Sequence, residues 1–125
     1  MRDDLEAAYR ALGLRHRCVF REYLGRLESL LGPAETVRVL TPGRWRAQRC
    51  LVVVTTSRLV LLHRPRKCFS MHQLTFWWQR ITHFGVPATH PERGRFRLAA
   101  GLDPEEFSAA RGVDALERNL REAVA

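Results

Sequence analysis

Lysine is nearly missing from this chain of 125 residues: Lys67 stands alone, and the other 20 of the 21 basic residues are Arg. A GC-rich genome tends to give that preference. Acids are just as scarce through the middle. Residues 36–97 hold eleven Arg and Lys67 against Glu92 alone, a charge of +11 within a net +8. Codon usage explains Arg over Lys but not the missing acids, so the middle reads as a cation between a neutral and an acidic end. Cys18, Cys50 and Cys68 are odd in number and widely spaced, with no C-x-x-C pair. That excludes a disulfide framework and leads us to expect reduced thiols in a cytosolic protein. No aliphatic run exceeds four residues, as in 51–54, far short of a bilayer span. The opening Arg2-Asp3-Asp4-Leu5-Glu6 is mixed and acidic, unlike a signal segment. P-loop, dinucleotide-glycine and nucleophile motifs are lacking too, and no enzyme is expected. No cofactor or metal is expected either. Cys68-x-x-x-His72 finds no second pair to complete a site, and Cys50, His63 and His83 read as structural or solvent-facing.

What is present is an unusual hairpin. Residues 50–55 and 58–63 are two short Val- and Leu-rich runs folded back at Thr56-Ser57. Alternation is missing: Leu51 and Val53 are as apolar as Val52 and Val54, and Leu59 and Leu61 as Val60 and Leu62. A strand with one wet face alternates, so this hairpin predicts cover on both faces.

A helix offers itself as that cover. Phe20, Tyr23, Leu24, Leu27, Leu30 and Leu31 form one stripe, ended by Gly32-Pro33. Before it, Asp3 and Glu6 have capping-box spacing for a first helix carrying Leu5, Ala8, Tyr9 and Leu12. Residues 36–40 alternate as a short strand, and Thr41-Pro42-Gly43 predicts a turn opening a cationic loop to Arg49. Further strands are predicted at 69–76, 81–88, 95–100 and 106–110, with a corner at 77–80. A closing helix near 112–124 places Val113, Leu116, Leu120 and Val124 on one face. The expected organisation is one domain, with a helical extension over 1–32 and a β-rich unit over 35–124. The expected class is α+β, mainly β.

The run L-V-V-V-T-T-S-R-L-V-L-L (51–62), followed by W-Q-R-I-T-H-F-G-V (78–86), resembles bacterial pleckstrin-homology domains and the related GRAM domains. Those families carry an apolar strand, a Thr-Asp/Asn-Arg-Arg-Leu-like turn, a second apolar strand, then an Ile before a strand. Thr55, Arg58, Leu59 and Ile81 stand in the matching places, with Thr56-Ser57 where the turn Asp or Asn would be. The resemblance covers residues 35–124. It implies a bent, partly open antiparallel barrel of about seven strands with a C-terminal capping helix, the N-terminal helices packing outside. That fold hosts lipid, peptide and protein binders alike.

Two cationic groups are candidate ligand sites. Arg44, Trp45, Arg46 and Arg49 lie where lipid-binding members of the resembled family hold phosphates, and guanidinium forks suit that task. An exposed Trp45 would rest at the headgroup level, while the opposing reading tucks it back onto the barrel. Arg93, Arg95 and Arg97 alternate, so they share one strand face. With Arg64, Arg66 and Lys67 they could meet phosphates, or simply solvate the strand and deter edge pairing. Trp77 and Trp78 should point to opposite sides, the outer one beneath the helices. Asp103, Glu105 and Glu106 read as a solvated turn. The function expected is a non-catalytic scaffold module binding an acidic protein partner, with possible homodimerisation through the N-terminal helices. The alternatives are peripheral binding to an anionic inner-membrane surface and nucleic-acid binding.

Overall fold

The computed structural model describes residues 2–65, 70–85, 94–101 and 103–124. Three helices open it: α1 (Asp3–Arg10), α2 (Leu14–Phe20) and α3 (Tyr23–Leu30). Strands β1 (Val37–Trp45), β2 (Gln48–Thr55), β3 (Arg58–His63) and β4 (His72–Trp77) follow, then a 3₁₀ turn (Trp78–Arg80). Strands β5 (His83–Gly85), β6 (Arg95–Ala99) and β7 (Pro104–Ala109) lead into helix α4 (Val113–Val124). All seven strands form one antiparallel sheet in the order β4-β3-β2-β1-β7-β6-β5. Among the described residues its two edges do not pair, so the barrel stays open.

The hairpin is covered on both faces, for the reason its composition requires. Leu51, Val53, Val60 and Leu62 join Leu5, Leu12, Phe20, Tyr23, Leu24 and Leu27 in an outer core under the helices. Val52, Val54, Leu59 and Leu61 join Phe76, Phe96, Leu98, Phe107, Leu116 and Leu120 in an inner core closed by α4. Each fully buried Leu or Val contributes about 1.5–3 kcal/mol relative to an exposed one.

The turn between β2 and β3 is held by polar groups. Thr55 Oγ1 accepts hydrogen bonds from the Ser57 and Arg58 backbone N–H groups, 3.1 and 3.0 Å away. It also donates to Glu35 Oε2 at 2.6 Å. Arg58 Nε donates to the same carboxylate at 2.9 Å, and its Nη2 donates to the Leu30 carbonyl at 2.6 Å. The Thr and Arg of the motif read from sequence are thus a capped turn and a buried ion pair.

Several boundaries differ from the sequence reading. The apolar stripe of 20–31 is two helices, broken at Arg21-Glu22, with Phe20 ending α2. Asp3 is not a cap: Arg2 occupies that place, and Asp4 instead accepts from the Val37 N–H at 2.6 Å, tying α1 to β1. The predicted turn at 41–43 is strand, and β1 runs on to Trp45. Pro42 is tolerated because the β1–β7 ladder begins only at Gly43, while its carbonyl accepts from the Ala110 N–H. Gly43 is needed for close approach: a Cβ there would strike the Ser108 carbonyl. The true turn is Arg46-Ala47, both residues left-handed at φ 49° and 61°. Glu105 and Glu106 lie on β7 rather than in a turn. Trp77 stays 42% exposed, stacked on the Arg58 guanidinium at 4.7 Å instead of lying beneath the helices. Trp78 is the half-buried one, donating to the Thr55 carbonyl at 3.0 Å.

Candidate functional site

The segment expected as a cationic loop is the tip of the β1–β2 hairpin, and its members part company. Trp45 points to the inner side, half-buried, its ring 4.8 Å from that of His63. Its indole Nε1–H donates to Glu105 Oε2 at 2.9 Å. Arg46 donates to the other oxygen of the same carboxylate at 2.7 Å and stacks on the Trp45 ring at 4.7 Å. Glu105 therefore occupies both donors at the tip, and Trp45 is tucked back rather than presented.

Arg44 and Arg49 face the other way. They pair across β1 and β2, so both side chains leave the outer face. Arg44 also pairs with Ser108 on β7, and Ser108 with Arg95 on β6. The row Arg49, Arg44, Ser108, Arg95 thus crosses four adjacent strands on one face. At about 4.8 Å per strand it spans about 14 Å. Among the described residues, Arg44 and Arg49 have no carboxylate within salt-bridge distance. Arg97 follows two residues along β6, paired in the sheet with Glu106. Arg93, Arg66, Lys67 and Cys68 lie outside the described residues. Arg64 is ion-paired to Glu22 at 2.7 Å.

This row is the floor of a concave surface. A groove of about 540 Å³ is walled by Arg44, Arg46, Arg95 and Ser108, with Glu105 and Glu106 on the tip side. A second, of about 350 Å³, continues past Arg44, Arg49 and Ser108 to Arg15, His16 and Val19 of α2. Ser108 was not singled out from sequence. Only strand pairing puts it between two arginines 64 and 13 residues away in the sequence.

Other titratable groups are placed by burial. Cys50 and His63 face one another on the inner side of β2 and β3. Burial pushes the Cys50 thiol up to about 12, which keeps it protonated and unreactive. Burial, with nearby His72 adding to it, lowers the His63 pKa, and among the described residues its Nδ1 has no hydrogen-bond partner. His83 lines a groove of about 410 Å³ with Phe84 and Arg121, whose guanidinium lies 5.6 Å from the Phe84 ring. Among the described residues no group of three or more His, Cys, Asp or Glu is arranged to hold a metal ion.

The seven-stranded open sheet, crossed at one end by a C-terminal helix, has close counterparts among solved structures. The pleckstrin homology domain from Shewanella amazonensis SB2B matches over 82% of this chain and 96% of its own, with TM-score 0.59 and 18% identity. The fold is that of a pleckstrin-homology domain. A second match is the DUF1696 family protein with a pleckstrin-homology domain from Shewanella loihica PV-4. It covers 85% of this chain and 93% of its own, with TM-score 0.60 and 18% identity. The human RhoA complex with the DH/PH fragment of PDZRhoGEF matches 97% of this chain over 35% of its own, with TM-score 0.55 and 19% identity. No protein-family model and no curated protein matches the sequence. Among the described residues no helix of this PH-like chain is long and apolar enough to cross a membrane.

Proposed function

We propose that the chain is a non-catalytic PH-like binding module that holds an acidic segment of a protein partner against the outer face of its sheet. The carrying observation is the row Arg49, Arg44, Ser108, Arg95, which lines two neighbouring grooves that share Arg44 and Ser108. Guanidinium groups in such a row offer paired, planar donors to carboxylates or phosphoryl groups. Residues 1–32 and 35–124 act as one unit in this reading, because β2 and β3 feed both cores. The GRAM-like affinity of the 55–59 turn belongs to the same proposal, as does a cytoplasmic location with reduced Cys18 and Cys50.

The competing partners draw less support. For an anionic membrane, Arg46 is already paired to Glu105 and Trp45 is turned inward, so the tip offers little to a headgroup plane. For nucleic acid, Glu105 and Glu106 border the groove where further phosphates would run. For a homodimer through the helices, their apolar residues already face the hairpin, and Leu14 is their one large hydrophobic side chain left exposed.

The test is a binding series at several salt concentrations with three probes: a Glu/Asp-rich peptide, phosphatidylserine vesicles and a duplex oligonucleotide. The peptide should bind, and binding should weaken as salt rises. The double variant Arg44→Gln, Arg49→Gln should lose that binding with its melting temperature unchanged, since both side chains are exposed. Binding of vesicles or oligonucleotide in preference to peptide would sink the proposal. So would a peptide that ignores the double substitution.

A further inference from the structure

The two grooves share Arg44 and Ser108 but differ in charge. Glu105 and Glu106 border the first, whereas among the described residues no carboxylate lines the second. Its basic groups come from two elements: Arg15 and His16 from α2, Arg44 and Arg49 from the β1–β2 hairpin. Arg15, Arg44 and Arg49 are exposed, and no described carboxylate lies within salt-bridge distance of any of them. Arg44 and Arg49 stand directly opposite in the β1–β2 ladder, a like-charge pairing that works against the hairpin. An anion held beside them would relieve it. The rest of the lining is mostly apolar. Val19, one turn after Arg15 on α2, joins the buried Phe20, while Pro42 of β1 and Ala110, just past β7, supply the sheet side. The groove holds about 350 Å³, room for a side chain or two but not for a helix about 10–12 Å across.

Resting on the acidic-partner reading above, we propose that this second groove takes one aliphatic side chain of the partner protein, flanked in the partner's sequence by acidic residues. A purely acidic segment would leave the apolar lining in water. A purely apolar one would leave three guanidinium groups without a counter-charge. A segment that carries both kinds of side chain satisfies both kinds of lining. In an extended chain, residues two before and two after the aliphatic anchor point to its own side, about 6.6 Å from it in either direction. The pattern acid-x-Leu-x-acid therefore presents its anchor and both carboxylates to one surface. The two contributions also answer differently to salt, because only the ionic one is screened. A nucleic acid supplies the charge without the aliphatic group and leaves Val19, Pro42 and Ala110 unused.

The experiment compares three labelled nonapeptides on the full chain by fluorescence anisotropy over a salt series. The first has a central Leu with Glu two residues to either side, the second a central Ser with the same Glu residues, and the third a central Leu with Lys in place of Glu. The Leu–Glu peptide should bind about tenfold tighter than the Ser–Glu peptide, and that ratio should hold as salt rises although both weaken. The Leu–Lys peptide should not bind. Arg15→Gln should weaken both acidic peptides about two- to fivefold. Ala110→Gln, a polar replacement at an exposed lining residue, should bring the Leu–Glu peptide down to the affinity of the Ser–Glu peptide. In a second arm, the methyl NMR signals of Val19 and Ala110 should shift with the Leu–Glu peptide and stay in place with the Ser–Glu peptide. Equal affinity of the two acidic peptides overturns the aliphatic pocket while leaving the acidic-partner reading in place. Failure of both overturns both. Binding of the Leu–Lys peptide, Arg15→Gln binding like the parent, a Leu advantage that survives Ala110→Gln, or methyl signals that ignore the Leu–Glu peptide also overturns the pocket.

Discussion

Replacing Glu35 by Ala tests the account of the hairpin turn most directly. Glu35 and Arg58 are 6% and 7% exposed. The carboxylate accepts from Arg58 Nε at 2.9 Å and Nη2 at 3.1 Å, from Thr55 Oγ1 at 2.6 Å and from the Gly32 N–H at 3.1 Å. Truncation leaves a buried guanidinium with the Leu30 carbonyl and the Trp77 ring as its remaining partners. Breaking a buried pair from one side costs about 3–5 kcal/mol. For a chain of this length that is a melting temperature lower by roughly 10–20 °C. Removing both partners, as in Glu35→Ala with Arg58→Met, should recover at least half of the loss, since no charge is then stranded. Urea unfolding followed by Trp fluorescence measures all four corners of the cycle. The pH dependence has a defined sign. Burial alone would raise the Glu35 pKa, but the hydrogen bonds from Arg58, Thr55 and Gly32 outweigh it and hold the group below its ordinary value. Its contribution is therefore present above the unfolded carboxylate value and is lost as pH falls through the folded one. A single variant losing less than about 1 kcal/mol, or a double variant as unstable as the two losses added, would refute the reasoning.

Three further outcomes are expected. Leu24→Asp forces an unpaired charge between α3 and the hairpin, so it should abolish cooperative unfolding or lower the unfolding free energy by at least about 3 kcal/mol; an unchanged midpoint would remove the helical cover from the account. Gly43→Ala should cost about 1–3 kcal/mol by pushing β7 from β1, read as a lower melting temperature, and a variant as stable as the parent would contradict the close approach. His63 is held neutral by burial, so its folded pKa is depressed and its contribution, present above 6.5, declines as pH falls toward the folded value. His63→Phe should flatten that acid-side decline in denaturant titrations at pH 7.5 and 5, and an identical slope in both proteins would count against it.

What the sequence disclosed is tied to hydrophobic pattern. The double cover of β2 and β3 was legible because two runs of four core positions, 51–54 and 59–62, carried no polar alternation, and the closing helix because its stripe was clean. Pattern failed where a residue served a neighbour distant in sequence. Pro42 and Gly43 carry turn chemistry but act as strand, since Gly43 answers to the Ser108 carbonyl. The break at Arg21-Glu22 was hidden because Phe20 and Tyr23 keep the stripe apolar across it, their rings meeting edge-on at 5.0 Å. At the candidate site Arg44, Arg49 and Arg95 were visible as cations, but not that one row joins them. Glu105 read as solvated because nothing local betrays its hold on Trp45 and Arg46, about sixty residues earlier.

The hairpin that is apolar on both faces carries one more consequence. In a half-wet sheet, slipping a strand by one residue throws its apolar side chains into water, and that penalty fixes the alignment. Here a slip of β2 against β3 would exchange Val52 for Leu51 and Leu61 for Leu62, apolar for apolar, with little change in burial. Alignment must then be specified at the ends. At one end Thr55 and Arg58 are locked to each other and to Glu35. At the other, β3 finishes with His63 against the Trp45 ring. The few polar residues bounding this greasy ribbon act as its alignment pins, a role that falls to them because the ribbon between them is indifferent to its own position.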